Sequence, residues 1–247
     1  MQFDTELLEY LHGSRFSNGL QAAYPFADDD FRYETRINWL RSLCTDKKVV
    51  HVGCVDHELA QVQHKLKRGK WLHAHLMEVC ARVLGVDIDI KGIEALRSEL
   101  NVPDLLAADL LNDPCEAVTD GRWDVMLLAE VLEHIGDPVA FLTRLRERYA
   151  EVTGEFIITV PNAFASEIIS RARRGVEAIN SDHRFWFTPY TITKICIDAG
   201  LTPTRLVMCR NGVIKQRAVW RNRRMRRQPL LRNNIILCAR ASNCHTD

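Results

Sequence analysis

The chain has 247 residues, 47% hydrophobic and 26% charged, with a formal net charge of +1. That is enough apolar content for one substantial core, and it fits one α/β domain with small additions better than two domains. No apolar run approaches the roughly 20 residues of a membrane span. The start, M-Q-F-D-T-E-L-L-E, lacks a signal peptide's basic and apolar regions, so a cytoplasmic protein is expected.

Residues 1–46 read as a helical lead-in, with F-R-Y-E-T-R-I-N-W-L-R-S-L (31–43) an amphipathic helix that would cover a sheet or lie over a pocket. From residue 47 strands and helices alternate. V-V-H-V-G-C-V (49–55) is a β-branched strand ending near a glycine, and W-L-H-A-H-L-M-E-V-C-A-R-V (71–83) has helical periodicity. V-L-G-V-D-I (83–88) is the second strand, and a helix follows with Asp89 as its N-cap. A short strand at 105–107, a helix at 112–119, a strand at 123–129 and a helix at 137–150 lead to F-I-I-T-V (156–160), stopped by Pro161. Near-continuous apolar strands separated by helices predict a parallel sheet covered on both faces.

Beyond Pro161 the pattern changes. A helix with a basic end is expected over 163–176, then an irregular insertion to 187. The next helix has Thr188 as N-cap and Pro189 at its first position, and it stops at Gly200. Strands at 204–209 and 234–240 close the sheet. Between them, residues 215–232 carry eight basic residues and no acidic one, a candidate anion-binding surface. The eight cysteines, at 44, 54, 80, 115, 196, 209, 238 and 244, form no C-x-x-C pair, which predicts reduced, mostly buried thiols.

The most chemically loaded stretch is W-D-V-M-L-L-A-E-V-L-E-H-I-G-D-P (123–138). A buried strand runs into Glu130, Glu133 and His134, spaced E-x-x-E-H. If the backbone turns helical after Ala129, positions i, i+3 and i+4 share one face, and three groups converge where an open α/β sheet places its chemistry. These three are the candidate catalytic residues.

The order of features over 47–240 resembles the class I S-adenosylmethionine-dependent methyltransferases. The resemblance implies a Rossmann-like, mostly parallel seven-stranded sheet with helices on both faces and the last strand antiparallel. It also implies a methyltransferase domain over 47–247, with an insertion at 163–187 and a basic segment at 213–232. The family's first turn follows the form D-x-G-x-G-x-G. Here H-V-G-C-V-D-H (51–57) matches only at Gly53; His51 stands at the acidic position, and Val55 and His57 stand where glycines are expected. Side chains at 55 and 57 would restrict close backbone approach to the cofactor. Asp87, ending the second strand, matches the acid that accepts hydrogen bonds from the ribose hydroxyls. In A-A-D-L (107–110), Asp109 and Leu110 match the adenine-contacting positions. His51, Gly53, Asp87, Asp109, Leu110 and Glu130 are therefore the candidate cofactor residues. Asp56, His57, His73 and His75 are further candidates to line a site, or else belong to a surface helix end; similar runs occur in methyltransferases of bacterial surface-sugar loci.

The E-x-x-E-H spacing is shared with ubiquinone-biosynthesis O-methyltransferases and with small-RNA 3′-terminal 2′-O-methyltransferases. In the latter a further histidine, in a D-H-x-F-x-W-T segment, completes a magnesium site. S-D-H-R-F-W-F-T-P (181–189) resembles it with the Trp displaced, which implies Glu130, Glu133, His134 and His183 as metal ligands for Mg2+ or another divalent ion. In metal-independent relatives, L-E-H at this place caps the following helix and contacts cofactor or substrate. The expected activity is O-methylation of a hydroxylated acceptor such as a sugar or glycan. The alternatives are RNA ribose 2′-O-methylation and a non-catalytic cofactor-binding module. The segment 215–232 would then grip RNA phosphates with Trp220 stacking a base, hold the diphosphate of a nucleotide sugar or lipid-linked glycan, or form a solvated excursion.

Overall fold

Seven strands, β1 (Lys48–Val52), β2 (Arg82–Asp87), β3 (Leu105–Ala107), β4 (Trp123–Ala129), β5 (Thr153–Pro161), β6 (Leu201–Cys209) and β7 (Asn234–Ala241), form one sheet. Its order is β3-β2-β1-β4-β5-β7-β6. The first five strands are parallel, and β7 runs antiparallel to both β5 and β6. The description rests on a computed structural model and covers residues 5–55 and 59–242.

Among the described residues ten α-helices surround the sheet: α1 (Thr5–Leu11), α2 (Arg36–Cys44), α3 (Leu59–Lys67), α4 (Leu72–Val79), α5 (Ile90–Leu100), α6 (Glu116–Thr119), α7 (Pro138–Tyr149), α8 (Ser166–Ala172), α9 (Pro189–Asp198) and α10 (Val219–Arg227). The period-two alternation of β4 divides the core. Met126 and Leu128 face one cluster, shared with Leu142, Leu145 and Tyr149 of α7 and Ile192 of α9. Val125 and Leu127 face the other, shared with Trp39 and Leu40 of α2 and Leu72 and Leu76 of α4. Full burial of each such aliphatic contributes about 2 kcal/mol, so every helix that packs here also fixes where a strand end emerges.

Several boundaries differ from expectation. The helix expected from Phe31 starts at Arg36, because Thr35 adopts an extended conformation and its side chain accepts from the Asn38 amide at 3.1 Å. The helix expected to reach Val83 stops at Val79, since Arg82 already pairs in register beside Lys48. The helix expected over 112–119 shrinks to α6, because Asp109 and Asp113 close a turn through the amides of Leu111 and Asp109. The helix expected over 163–176 is only α8, and its exit passes through Gly175 at φ +70°. Asp89 is the N-cap of α5, but its side chain makes no capping bond. Thr188 is the expected N-cap and forms a capping box with Thr191, and Pro189 opens α9. The seven described cysteines are free, all but Cys80 buried; Cys244 lies outside the described residues.

Candidate active site

The turn after β4 departs furthest from the helix expected there. Glu130 has φ +61°, a left-handed conformation that no helix starting there could contain. The 3-10 turn begins only at Leu132 and ends at His134. Glu130 and Glu133 therefore leave the backbone in different settings rather than as successive turns of one helix.

Their surroundings differ accordingly. Glu130 Oε1 accepts from Asn234 Nδ2 at 2.9 Å and Thr159 Oγ1 at 3.1 Å, with Arg36 Nη1 at 3.8 Å. It is a partnered carboxylate tied to β7, β5 and α2. Glu133 is fully buried, and among the described residues neither carboxylate oxygen has a hydrogen-bond partner. Burial and the negative charge of Glu130 push its carboxyl up to about 8. A buried carboxylate without donors is costly and calls for a counter-ion or a proton.

The insertion after α8 supplies what lies beside it. The Arg184 amide donates to the Glu133 carbonyl at 2.8 Å, and its guanidinium donates to the His134 carbonyl. These bonds dock residues 182–184 against the 3-10 turn. One donor atom each from Glu133, His134 and His183 then lies within 4.8 Å of the others. That spread is slightly wider than two metal–ligand bonds of about 2.1 Å. His134 Nδ1 is 2.9 Å from Asp182 Oδ2, which leaves Nε2 for a ligand, the carboxylate–histidine arrangement that orients metal-binding imidazoles. His183 Nδ1 is buried without a partner, and its pKa is lowered by burial and by His134. Sequence reasoning missed Asp182; its signal was its place beside His183.

A cavity of about 550 Å³ opens at the carboxyl ends of β1 and β4, and His51, Gly53, Glu130, Glu133, His134 and His183 all line it. Asp87, Asp109 and Leu110 sit outside its lining, at the ends of β2 and β3. Asp87 Oδ2 accepts from the Val55 amide and Oδ1 from the Asp89 amide, both at 3.0 Å. It thereby fixes the turn after β1. Asp109 accepts from the Leu111 amide at 2.8 Å and Asn112 Nδ2 at 2.6 Å. Leu110 is buried in the core, its carbonyl bonded to the Tyr149 hydroxyl. Ile88, which the sequence did not single out, is 74% exposed directly after Asp87.

Gly53 has φ +75°, and a Cβ there would stand 3.0 Å from Val131 Cγ2, so a glycine is required both by conformation and by the turn above it. The expected obstruction by Val55 does not arise: its side chain is 3% exposed and turned toward α5, where a Cβ on Gly92 would come within 2.4 Å of it. The glycine missing from the loop is matched by one on the helix. His51 does not replace the expected acid as a charged group. It is buried against His73, with Nδ1 atoms 3.1 Å apart and rings stacked at 5.3 Å. Burial, then the neighbouring imidazole, holds its pKa well below the ordinary histidine range. His75 lies apart, joined to the Gly69 carbonyl and to Arg41. Asp56 and His57 fall outside the described residues.

A parallel sheet reversed only at β7, with a glycine turn after β1, an acid ending β2 and polar groups after β4, defines a class I S-adenosylmethionine-dependent methyltransferase. The chain belongs to the family described as Methyltransferase domain, which matches residues 33–206. It is similar to the ubiquinone biosynthesis O-methyltransferase of Cereibacter sphaeroides (strain KD131 / KCTC 12085), at 28% identity over 160 residues, 62% of this chain and 62% of that protein. The match thus spans less than two thirds of that relative's length. A methyltransferase structure from Bacillus halodurans C-125 shares the fold at TM-score 0.52 and 13% identity, covering 84% of this chain and 98% of the other. The small RNA methyltransferase HEN1 does so at TM-score 0.53 and 17% identity, covering 91% of this chain and 27% of that one.

Proposed function

We propose that the enzyme O-methylates a hydroxylated acceptor, such as a sugar or glycan, with help from a divalent ion at Glu133, His134 and His183. The observation that carries the metal is the Glu133 carboxylate, fully buried with both oxygens unpartnered beside two imidazoles. Two imidazoles and one carboxylate suit manganese, iron or zinc, and a contribution from Glu130 would favour magnesium. The relative's printed name, an O-methyltransferase, supports oxygen as the acceptor atom.

When bound, S-adenosylmethionine supplies a methyl group on a sulfonium, activated for in-line displacement. Gly53 lets the backbone approach it, Asp87 is assigned to its ribose hydroxyls, and Asp109 to its adenine end, where a carboxylate with about four lone-pair sites retains capacity. When bound, a divalent ion supplies Lewis acidity that lowers the pKa of a coordinated hydroxyl. Glu133, His134 and His183 would hold that ion, which would take the place of the proton on the buried Glu133 carboxyl. Asp182 holds the His134 ring in one orientation, and Arg36, with Thr159 and Asn234, fixes the Glu130 carboxylate beside the site.

Labelled-methyl transfer to glycans, lipid phenols and short RNAs, each with and without EDTA, tests acceptor and metal together. Transfer to a glycan, lost in EDTA, is expected. Transfer to RNA alone would replace the acceptor, and full activity in EDTA would remove the metal.

A further inference from the structure

The arm between β6 and β7 is built unlike the rest of the surface. It leaves the cavity rim at Asn211 and Gly212 and carries no acidic residue before β7. Seven of its basic side chains are exposed: Lys215, Arg217, Arg221, Arg223, Arg224, Arg226 and Arg227. Among the described residues none of these seven forms an ion pair; the arm's one ion pair joins Arg210 to Glu167 at 2.8 Å. Such a concentration of like charge disfavours the folded arm unless something neutralises it.

The arm is nevertheless fixed. Met225 turns into the protein, and the buried Arg232 guanidinium donates to the carbonyls of Met225, Met208 and Arg32 at 2.9, 2.8 and 3.1 Å. With Met225 inward, Trp220, Arg223, Arg224 and Arg227, at i, i+3, i+4 and i+7, share another face of α10 and line one shallow groove. Trp220 is 83% exposed, and Val219 before it and Val213, seven residues earlier on the same arm, are exposed too. The Trp220 side also borders α8, where Arg171 lines the adjoining groove.

Guanidinium groups around an uncovered indole suit a surface of phosphates with an apolar layer beneath. A nucleic-acid strand would use the arginines and the indole, but it offers nothing to Val213 and Val219. At a lipid headgroup boundary all three apolar side chains can leave water while the arginines meet phosphate. α10 is too short and too basic to insert, so it would lie on the surface. We propose that this arm docks the enzyme on an anionic lipid surface, bringing the rim at Asn211 and Gly212 toward the headgroups. The proposal is independent of the metal and of the acceptor.

Co-sedimentation of the full chain with vesicles of phosphatidylcholine, with and without phosphatidylglycerol, tests it. Binding to the mixed vesicles alone is expected, weakening as salt rises. Each arginine removed should weaken it about fivefold, so Arg223→Ala/Arg224→Ala/Arg227→Ala should weaken it about a hundredfold. A blue shift of tryptophan emission on vesicles should disappear in Trp220→Phe. Unchanged S-adenosylmethionine binding by calorimetry would show that the variants are folded. Equal binding to neutral vesicles, or no vesicle binding at low salt, would overturn the proposal. So would binding of a single-stranded oligonucleotide, abolished by the triple substitution, where vesicles are ignored.

Discussion

Acidification should act on this protein through the stacked pair of His51 and His73. Burial holds the His73 imidazole down at about 4, against about 6.5 in an unfolded chain. A depressed folded-state pKa means that the unfolded chain binds the proton first. The stability contributed by the neutral ring is complete above about pH 6.5 and is lost as pH falls toward 4. From pH 7 to pH 5 the loss is about 2 kcal/mol for one such ring. His51 adds to the loss in the same direction, because burial and the neighbouring imidazole, 3.1 Å away, also hold its pKa well below the ordinary range while the unfolded chain takes up a proton there. The pair has no room to separate: a Cβ on Gly85 would already lie 2.8 Å from His73 Cε1. Glu133 carries the opposite sign, since its raised folded-state pKa stabilises the fold as pH falls from about 8 toward the ordinary carboxylate range. Urea denaturation of wild type and of His51→Leu/His73→Leu at pH 7, 6 and 5 should show the wild type losing at least about 2 kcal/mol relative to the variant. A difference that stays constant with pH would refute the reasoning.

Three further outcomes follow from the site. Glu133→Met should stabilise the metal-free protein by up to about 3 kcal/mol at pH 7, since it removes an unpartnered buried carboxyl, and urea denaturation would show it; a destabilised variant would mean that Glu133 is satisfied. Asp87→Ala should weaken S-adenosylmethionine binding at least tenfold in calorimetry, through lost charge-assisted hydrogen bonds. An unchanged affinity would remove Asp87 from the cofactor site. Asp182→Ala should lower divalent-metal affinity about 10–100-fold while leaving cofactor binding intact, measured by metal titration of the stripped protein.

The sheet was readable because its strands are apolar on both faces. Trp123–Ala129 coincides with β4, and the interior of β5 was recognised from F-I-I-T-V. Short elements were not. α3 escapes the periodicity because its apolar Leu59, Val62 and Leu66 sit in a short helix that runs into the basic stretch K-L-K-R-G-K, and α10 because its inward face is little more than Met225. Glu130 marks the sharper limit. Periodicity assigns residues 130–134 to one helical face, but a non-glycine residue in the left-handed region is selected by tertiary partners, here Arg36, Thr159 and Asn234, which lie far off in sequence. The cofactor loop shows the converse: two glycines are missing, at 55 and 57, yet Val55 is accommodated by Gly92 on a different element.

Add-back of Mn2+ to chelator-stripped wild type and to His183→Ala, following labelled-methyl transfer while calorimetry monitors S-adenosylmethionine binding, measures whether methyl transfer needs the ion proposed at Glu133, His134 and His183. Such a requirement means that Mn2+ restores activity in the wild type only, with cofactor binding equal in both proteins. Full activity of the stripped wild type, or of His183→Ala without added metal, would contradict it.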